Sequence, residues 1–571
     1  MKYNTTLRKF YLQQVLSKKL LLTFLGVIML LSSYAVAKTS TGGNWSNAAT
    51  WTPAGVPAAG DDVTILSGTV QVDVAAVCTS ITIDGGATLN LNNNGITVGT
   101  NWTNNGNFTI SCQCAPNTVT FTGNGTIGGT TATQFYNLTI NAPGSTVALS
   151  TSGVGIQDNG TLTLTNGVFK IGAGNTFDIG NTGATSIIAT NGTLATTGAN
   201  GSDGGTVLVD EGGGGGPIFV TNSTAANPLT FYNLQFGPSP GNGNVHWQVT
   251  NSKSIIINGI LTVQDNNWQF LNTANVPIYG PNSTLNINNN GQQYSPGSGS
   301  GSGLLWVQYA PGAGTINSAA TPGYPNNVII ANVGNSASNY NGNQYGVKLS
   351  GNWSINGTLQ VGTPTVPGLV DLDNGGSGTN NFSSGGITIE PNSKLAGPTT
   401  GTFNVNGNWS QDASATYTSN NGTITFGGAG TDNISMSSGT ETSFSSVTVN
   451  ANVNLNSPVT LSGAGVLTLT SGIVTTTAAN LLKVSNTSTT AITGGSASTY
   501  VSGPLAWTLA ATTTNNYVFP VGGSGKYLPL TLSPNSTSSE TATVTAFGTG
   551  SGGTPDGTTV TSLSTTEYWS V

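Results

Sequence analysis

The strongest constraint in this sequence is that it repeats itself, in order, across most of its length. Asn101-Trp102-Thr103 is followed by TVTFTGNGTIGG (118–129), FYNLTIN (135–141) and GTLTLTNGVFKIG (160–172). Asn408-Trp409-Ser410 is followed by TITFGGAGTDNI (423–434), FSSVTVN (444–450) and GVLTLTSGIV (465–474). Trp102 and Trp409 are 307 residues apart, Phe121 and Phe426 305, Phe135 and Phe444 309, and Leu162 and Leu467 305. Partial copies lie between them, as TFYNLQFG (230–237), IIINGILTVQDNNW (255–268) and GNWSINGTLQVG (351–362). Four unlike elements kept in one order make chance similarity a poor explanation, and internal repetition of this kind reads as a solenoid.

The repeated unit is a strand. Val70-Gln71-Val72-Asp73-Val74, Thr88-Leu89-Asn90-Leu91 and Thr161-Leu162-Thr163-Leu164-Thr165 alternate apolar and polar residues, the mark of a half-buried strand. Gly and Pro punctuate nearly every window and disfavour helix, while Asn-Gly, Gly-Gly and Asn-Asn supply turns. Two or three strands per coil at this spacing give roughly 20–25 residues per coil and on the order of twenty coils, spaced by about 4.8 Å. Inward Val, Leu, Ile and Phe would stack into a narrow core, and Asn suits left-handed corners. The fold expected is all-β, a right-handed parallel β-helix over 67–498, followed by a partial β-sandwich-like domain over 499–571. A series of β-sandwiches is the alternative. No sandwich-sized unit of about 100 residues repeats cleanly.

The N-terminus reads as an export signal. Lys2, Arg8, Lys9, Lys18 and Lys19 precede a short apolar run (20–31) and then Ala35-Val36-Ala37, which predicts cleavage after Ala37. The run is too short to span a bilayer, which needs about twenty residues. No later stretch is apolar enough to do so. Past residue 37 there is no Arg, and seven Lys against nineteen Asp and Glu leave a net charge of −12. Only 5% of the chain is charged, against roughly a quarter in an ordinary domain. A chain so poor in cations has no basic stripe for phosphates, so neither nucleic acid nor an anionic membrane surface is expected as a partner. Cys78, Cys112 and Cys114 remain. In an oxidising compartment Cys78 can pair with Cys112 or Cys114. Cys112 and Cys114 themselves stand too close in sequence for ordinary geometry on a strand.

Two segments differ from the rest. Gly43-Asn44-Trp45-Ser46…Trp51, continuing to Gly60-Asp61-Asp62-Val63-Thr64-Ile65, lies within 38–66 and is expected to cap the open end of the solenoid. From about Tyr500 the chain becomes richer in aromatics and Pro (YVSGPLAW, NNYVFPVG, GKYLPLTL, STTEYWSV) and reads as a compact β-domain. These two segments resemble the opening and a downstream β-domain of large cell-surface and secreted repeat proteins of Bacteroidota. The resemblance implies a parallel β-helix, export by type IX secretion, and an adhesin-like role at the cell surface or outside it. It also implies a C-terminal sorting domain, which is not visible here. With a strand interrupted at Val571, the sequence reads as the N-terminal portion of a longer protein.

Chemistry is sparse in the sequence. Parallel β-helices also serve as polysaccharide lyases and hydrolases, which need a base beside a carboxylate or a pair of neighbouring carboxylates. Asp61 and Asp62 are adjacent, so on a strand they point to opposite faces. Asp371 and Asp373, at i and i+2, share a face and are the best Ca²⁺ candidates, although Phe382 stands where an EF-hand places Glu. Asp210-Glu211 precedes five glycines, and His246, the chain's one His, lacks a charged neighbour in sequence. Trp247, Trp268, Trp306 and Tyr309 could form a sugar-stacking platform, with core filling as the competing role. No cofactor is implied. The sequence is that of a non-enzymatic structural or adhesive protein that contacts extracellular surfaces or glycans, with a carbohydrate-binding or polysaccharide-degrading β-helix as the alternative.

Overall fold

The computed structural model describes residues 35–571 apart from 115, 181–184, 196–203, 210–217, 222–228, 238–244, 251–254, 265–267, 271–276, 289–305, 307–322, 332–345, 350, 374–379, 440 and 512–513. At 158, 185–186, 218–221, 245–250 and 268–270 it describes the backbone alone. The chain is all-β, and its strands stack in parallel into a β-solenoid of about 16 turns among the described residues. Two short 3₁₀ turns, Ala48–Thr50 and Ser437–Gly439, are the only helical elements described. No described helix is long and apolar enough to cross a membrane. Contacts divide the chain into one unit of 1–177 with 190–193 and a second of 178–189 with 194–571.

The first unit has three-sided coils. One side stacks Ala37–Ser40, Asp62–Ile65, Ser80–Ile83, Trp102–Asn104 and Gly125–Gly128. A second stacks Ala76–Cys78, Ile96–Val98, Thr118–Phe121 and the first half of Gln134–Leu149. A third stacks Gly43–Asn44, Thr69–Gln71, Thr88–Asn90 and Asn107–Thr109. Alternation dictates the core: Val63, Ile81, Trp102 and Ile127 lie in one register column and are each at most 1% exposed. Thr39, Thr64, Thr82 and Thr103 take the intervening outward places. The segment 38–66 holds the first of the described coils, in which Ala37–Ser40 pairs with Asp62–Ile65. Inside it Trp45 and Trp51 pack edge to face at 4.9 Å, and Trp51 Nε1 donates to the Trp45 carbonyl at 2.9 Å.

The second unit repeats the plan. Its longest side runs through Thr206–Val209, Asn233–Phe236, Ile260–Val263, Thr284–Ile287, Asn327–Ile330, Thr358–Val361, Gly386–Ile389, Trp409–Gln411, Thr431–Met436 and Asn452–Leu455. The spacing between stacked residues varies from 17 (Thr442 to Val459) to 43 (Leu285 to Val328). The even 20–25 expected from sequence therefore holds only for part of the chain. Pairing resumes in register after connections of different length, because stacking fixes the strands and leaves the connection between them free. Parallel pairing continues past 499, where Val501–Ser502 joins Val474–Thr475 and Leu505–Leu509 joins Leu482–Val484. It becomes antiparallel where Glu540–Phe547 pairs with Leu505–Leu509 and Tyr568–Ser570 pairs with Glu540–Phe547. The aromatic-rich segment thus grows out of the last coil.

Side chains extend the backbone ladder. Asn101 Oδ1 accepts the Thr126 amide and hydroxyl one coil on, at 2.9 and 3.1 Å. Asn105 does the same for Thr130, and Asn381 for Thr402. Asn408 takes the Asn433 amide and Nδ2 at 3.0 Å each, and Asn452 the Ile473 amide. Asn also occupies left-handed corners, with positive φ at Asn92, Asn93, Asn159, Asn392, Asn420 and Asn421.

The repeat has a counterpart in the core. Trp102 packs edge to face on Phe108 and Phe135 at 5.1 and 5.4 Å, and those two rings are 5.7 Å apart. In the second unit Trp409 packs on Tyr417 and Phe444 at 4.8 and 5.2 Å, with 5.8 Å between the latter. Both Trp rings are 0% exposed.

The cysteine expectation is corrected. Cys112 and Cys114 are disulfide-bonded to each other, with Cα atoms 5.4 Å apart, and Cys78 is free. Strand alternation does not apply to 111–114, which bend. A Cα separation of that size lies within the usual disulfide range. Cys78 is turned inward on Ala76–Cys78, 1% exposed, and burial first, then the charge of Asp62, pushes its thiol up to about 12.

Two outcomes follow. Trp409→Ala should cost about 3–5 kcal/mol of local stability. Hydrogen exchange should accelerate in the coils around 386–455 while that of Ser80–Ile83 is unchanged, since a solenoid unit depends on its neighbours. Cys78 should resist thiol reagents in the native protein at pH 8 and react only as denaturant opens its coil.

Candidate functional site

The sequence-predicted acidic pair is drawn into the fold's own hydrogen bonding. Asp371 ends the strand Leu369–Asp371 and Asp373 follows in a bend; they are 5% and 8% exposed. Asp371 Oδ1 accepts the Asp373 amide at 2.9 Å. Asp373 Oδ1 accepts Asn380 Nδ2 at 2.9 Å, and its Oδ2 accepts the Thr399 hydroxyl. Asn380 Oδ1 takes the Gly351 amide at 2.6 Å. Lys348 stands directly opposite Asp371 in the parallel register. This arrangement ties a corner of one coil to the next, and among the described residues no group of three or more His, Cys, Asp or Glu is placed to hold a metal.

Asp61 and Asp62 are separated as alternation requires. Asp61 accepts the Val36 amide at 3.1 Å and the Ala58 amide at 2.9 Å, and Asp62 accepts the Ser80 hydroxyl at 2.6 Å. The stacking platform does not assemble around Trp306, which is 0% exposed and packed against Trp353 and Phe382 at 4.9 and 6.4 Å. It belongs to an aromatic column that continues through Phe403 to Trp409. Its ring faces are therefore closed to a sugar, a correction to that expectation. Trp247 and Trp268 lie on the paired strands Val245–Thr250 and Trp268–Phe270, of which the backbone alone is described, as it is for His246. Tyr309, Asp210 and Glu211 lie outside the described residues.

A feature the sequence reading missed is a half-open groove on the side of the second unit, about 440 Å³ in volume. Its floor is set by glycines. Gly385 and Gly407 precede the paired strands Gly386–Ile389 and Trp409–Gln411 by one and two positions, and each lies close to the chain below. A Cβ on Gly385 would run into the Asn356 carbonyl, and one on Gly407 into the Gly385 carbonyl. At the equivalent place in the next coil the sequence switches to Asp432. The rim carries Thr358, Thr388, Asn406, Asn408, Ser410 and Thr431, hydroxyl and amide groups with no cation among the lining residues.

Asp432 is 2% exposed. Its Oδ2 accepts the Gly428 amide at 3.0 Å, and burial holds its carboxyl above the usual carboxylate range, partly opposed by that bond. Surface carboxylates behave oppositely. Asp412 accepts the Ser414 hydroxyl and amide at 2.6 and 2.8 Å and the Ser437 hydroxyl at 2.8 Å, which pulls its pKa down. Asp73 is pulled down by the Ser46 hydroxyl and amide, at 2.6 and 2.9 Å. Only the acidic residue among glycines, GGAGTD at 427–432, marked this place in the sequence.

The fold and its surface define a protein class, the parallel β-solenoid with an amide- and hydroxyl-bearing exterior. Comparison with family models, curated proteins and solved structures returned no match.

The two kinds of carboxylate should separate in a pH series. Asp73 is lowered in the fold, so its stabilisation is present above the unfolded value of 3.8 and lost as pH falls through the folded pKa. Asp73→Asn should therefore lower the melting temperature at pH 7 and match the parent in strong acid. Asp432 is raised, so the fold disfavours its charged form at neutral pH. Asp432→Asn should melt at or above the parent at pH 7, and the gap should close as pH falls from the raised pKa towards 3.8.

Proposed function

We propose that this chain is an exported structural and adhesive β-solenoid whose role is to extend and make contact outside the cell. The observation that carries the reading is how the polar side chains are used. Asn, Ser and Thr donate to or accept from the neighbouring coil, as at Asn101, Asn381 and Asn408. Asp61, Asp73, Asp373 and Asp412 are engaged across coils in the same way by the Val36 and Ser46 amides and the Thr399 and Ser437 hydroxyls. A surface so built is a scaffold, cohesive along its length and poor in charges that salt would screen. The basic, apolar and Ala-Val-Ala pattern ahead of residue 38 supports export. The resemblance of 43–65 and 500–569 to Bacteroidota surface proteins supports display at the outer membrane or release from it.

The test is adhesion. Beads coated with residues 38–571 should be retained on host-cell or bacterial surfaces, with little change between low and high salt. The same preparation should release no reducing ends or unsaturated products from a panel of plant and bacterial polysaccharides. Product release that disappears in Asp432→Asn would replace this reading with a glycan-cleaving one.

A further inference from the structure

We propose that the groove beside Asp432 is a binding site for a neutral oligosaccharide, whose hydroxyls are received by the Asp432 carboxylate and the amide and hydroxyl groups of the rim. The inference deepens the adhesive reading by naming a ligand class, and it rests on that reading for its setting.

Three observations converge. The first is space, since about 440 Å³ falls within the range of roughly 300–1,000 Å³ that small-molecule clefts occupy. Gly385 and Gly407 line it with bare backbone, each held so close to the coil below that a Cβ would strike a carbonyl there. The second is an acceptor open to the groove. Asp432 sits on the strand Thr431–Met436 at a position whose partner one coil on is Val453, an apolar place for a carboxylate. Its Oδ2 is held by Gly428, and its Oδ1 takes no hydrogen bond from any described residue. That oxygen is not one of the buried side-chain atoms left without a partner, so it opens onto the groove and is free to accept from what enters it. The third is the character of the rim. Asn406, Asn408 and Ser410 are exposed along one edge, and Thr358, Thr388 and Thr431 stand on the others.

That chemistry selects the ligand. No Lys lines the groove, so an anionic sugar would meet the carboxylate uncompensated. A divalent cation would find one carboxylate, already half engaged, and no second acidic or imidazole ligand among the described residues. An apolar ligand would leave the acceptor unsatisfied. A neutral ring of hydroxyls meets each requirement, as donor to Asp432 and as donor and acceptor to the amides and hydroxyls.

The experiment is calorimetric titration of residues 38–571 with maltohexaose, cellohexaose and mannohexaose, and with an oligogalacturonate of similar length. The parent is compared with Asp432→Asn, which keeps the shape, and Ser410→Trp, which fills the groove from an exposed strand position. Melting curves confirm that both variants fold. At least one neutral hexaose should bind, with affinity reduced at least about ten-fold in Asp432→Asn, as for a lost hydrogen bond to a charged group. It should be abolished in Ser410→Trp, with the oligogalacturonate weaker throughout. Binding that survives both variants, or prefers the oligogalacturonate, overturns the proposal. If beads coated with the parent still adhere to cells while no neutral hexaose binds, the groove assignment falls and the adhesive reading stands. If adhesion is absent and hexaose binding is lost in both variants, the adhesive reading falls and the site stands.

Discussion

The rest of the structure depends on one interaction, the hydrogen bond from each coil to the next. Within a single coil only the corners find partners, as where Thr39 and Thr52 exchange backbone bonds, and the three short strands do not pair with one another. Every amide and carbonyl of Asp62–Ile65 looks to the coil before or after it, and so on along each unit. Strands of three or four residues also leave corners where ladder bonds would be missed. Asparagine fills that gap, since its Oδ1 accepts an amide one coil on, where the backbone has turned away, as Asn101, Asn381 and Asn452 do. Because it also tolerates positive φ, Asn turns the chain at Asn92–Asn93 and Asn420–Asn421. Asn and Gly richness is thus a consequence of the architecture, since a short amide can both bridge coils and hold the left-handed turn.

How much of this was legible in the sequence depends on the period of the signal. Alternation over four residues, as in TVTF and TLTL, identified strands because inward and outward positions are local facts. The order of landmarks identified stacking. Coil length was not legible, because pairing resumes in the same register however many residues intervene, as it does between Leu285 and Val328, 43 positions apart. Trp306 is open to two roles in the sequence for a related reason. Exposed platforms and cores both want Trp, and only the neighbours on adjacent coils, Trp353 and Phe382, decide between them. Phe108 and Tyr417 went unread although they sit at matching places beside Trp102 and Trp409, since the segments around them share no other residues of note.

The two aromatic triads give the repeat a physical meaning. Conserving Trp with two edge-to-face partners at 4.8 to 5.4 Å keeps one coil geometry in each unit. Around that fixed core the outward residues are free to differ. At Asn101 the bridging acceptor serves a Thr, while at Asn408 it serves another Asn. Past Trp102 the corresponding corner carries Gly123 and Gly125, whereas past Trp409 it carries Gly427, Gly428 and Gly430 and then Asp432.

That last difference shows how a solenoid acquires a site at small structural expense. Backbone pairing fixes where each residue lies, so a glycine in two successive coils opens a trough, and a single polar replacement in the next coil places an acceptor at its end. Gly385, Gly407 and Asp432 form such a sequence. No loop need be built and no core residue moved, because Trp409 and Ile434 continue to stack directly beside them. The charge scarcity that leaves the molecule poor in chemistry then has a second effect. One carboxylate among neutral amides and hydroxyls, with no cation lining the groove to neutralise it, becomes the strongest hydrogen-bond acceptor that a ligand entering this groove would meet.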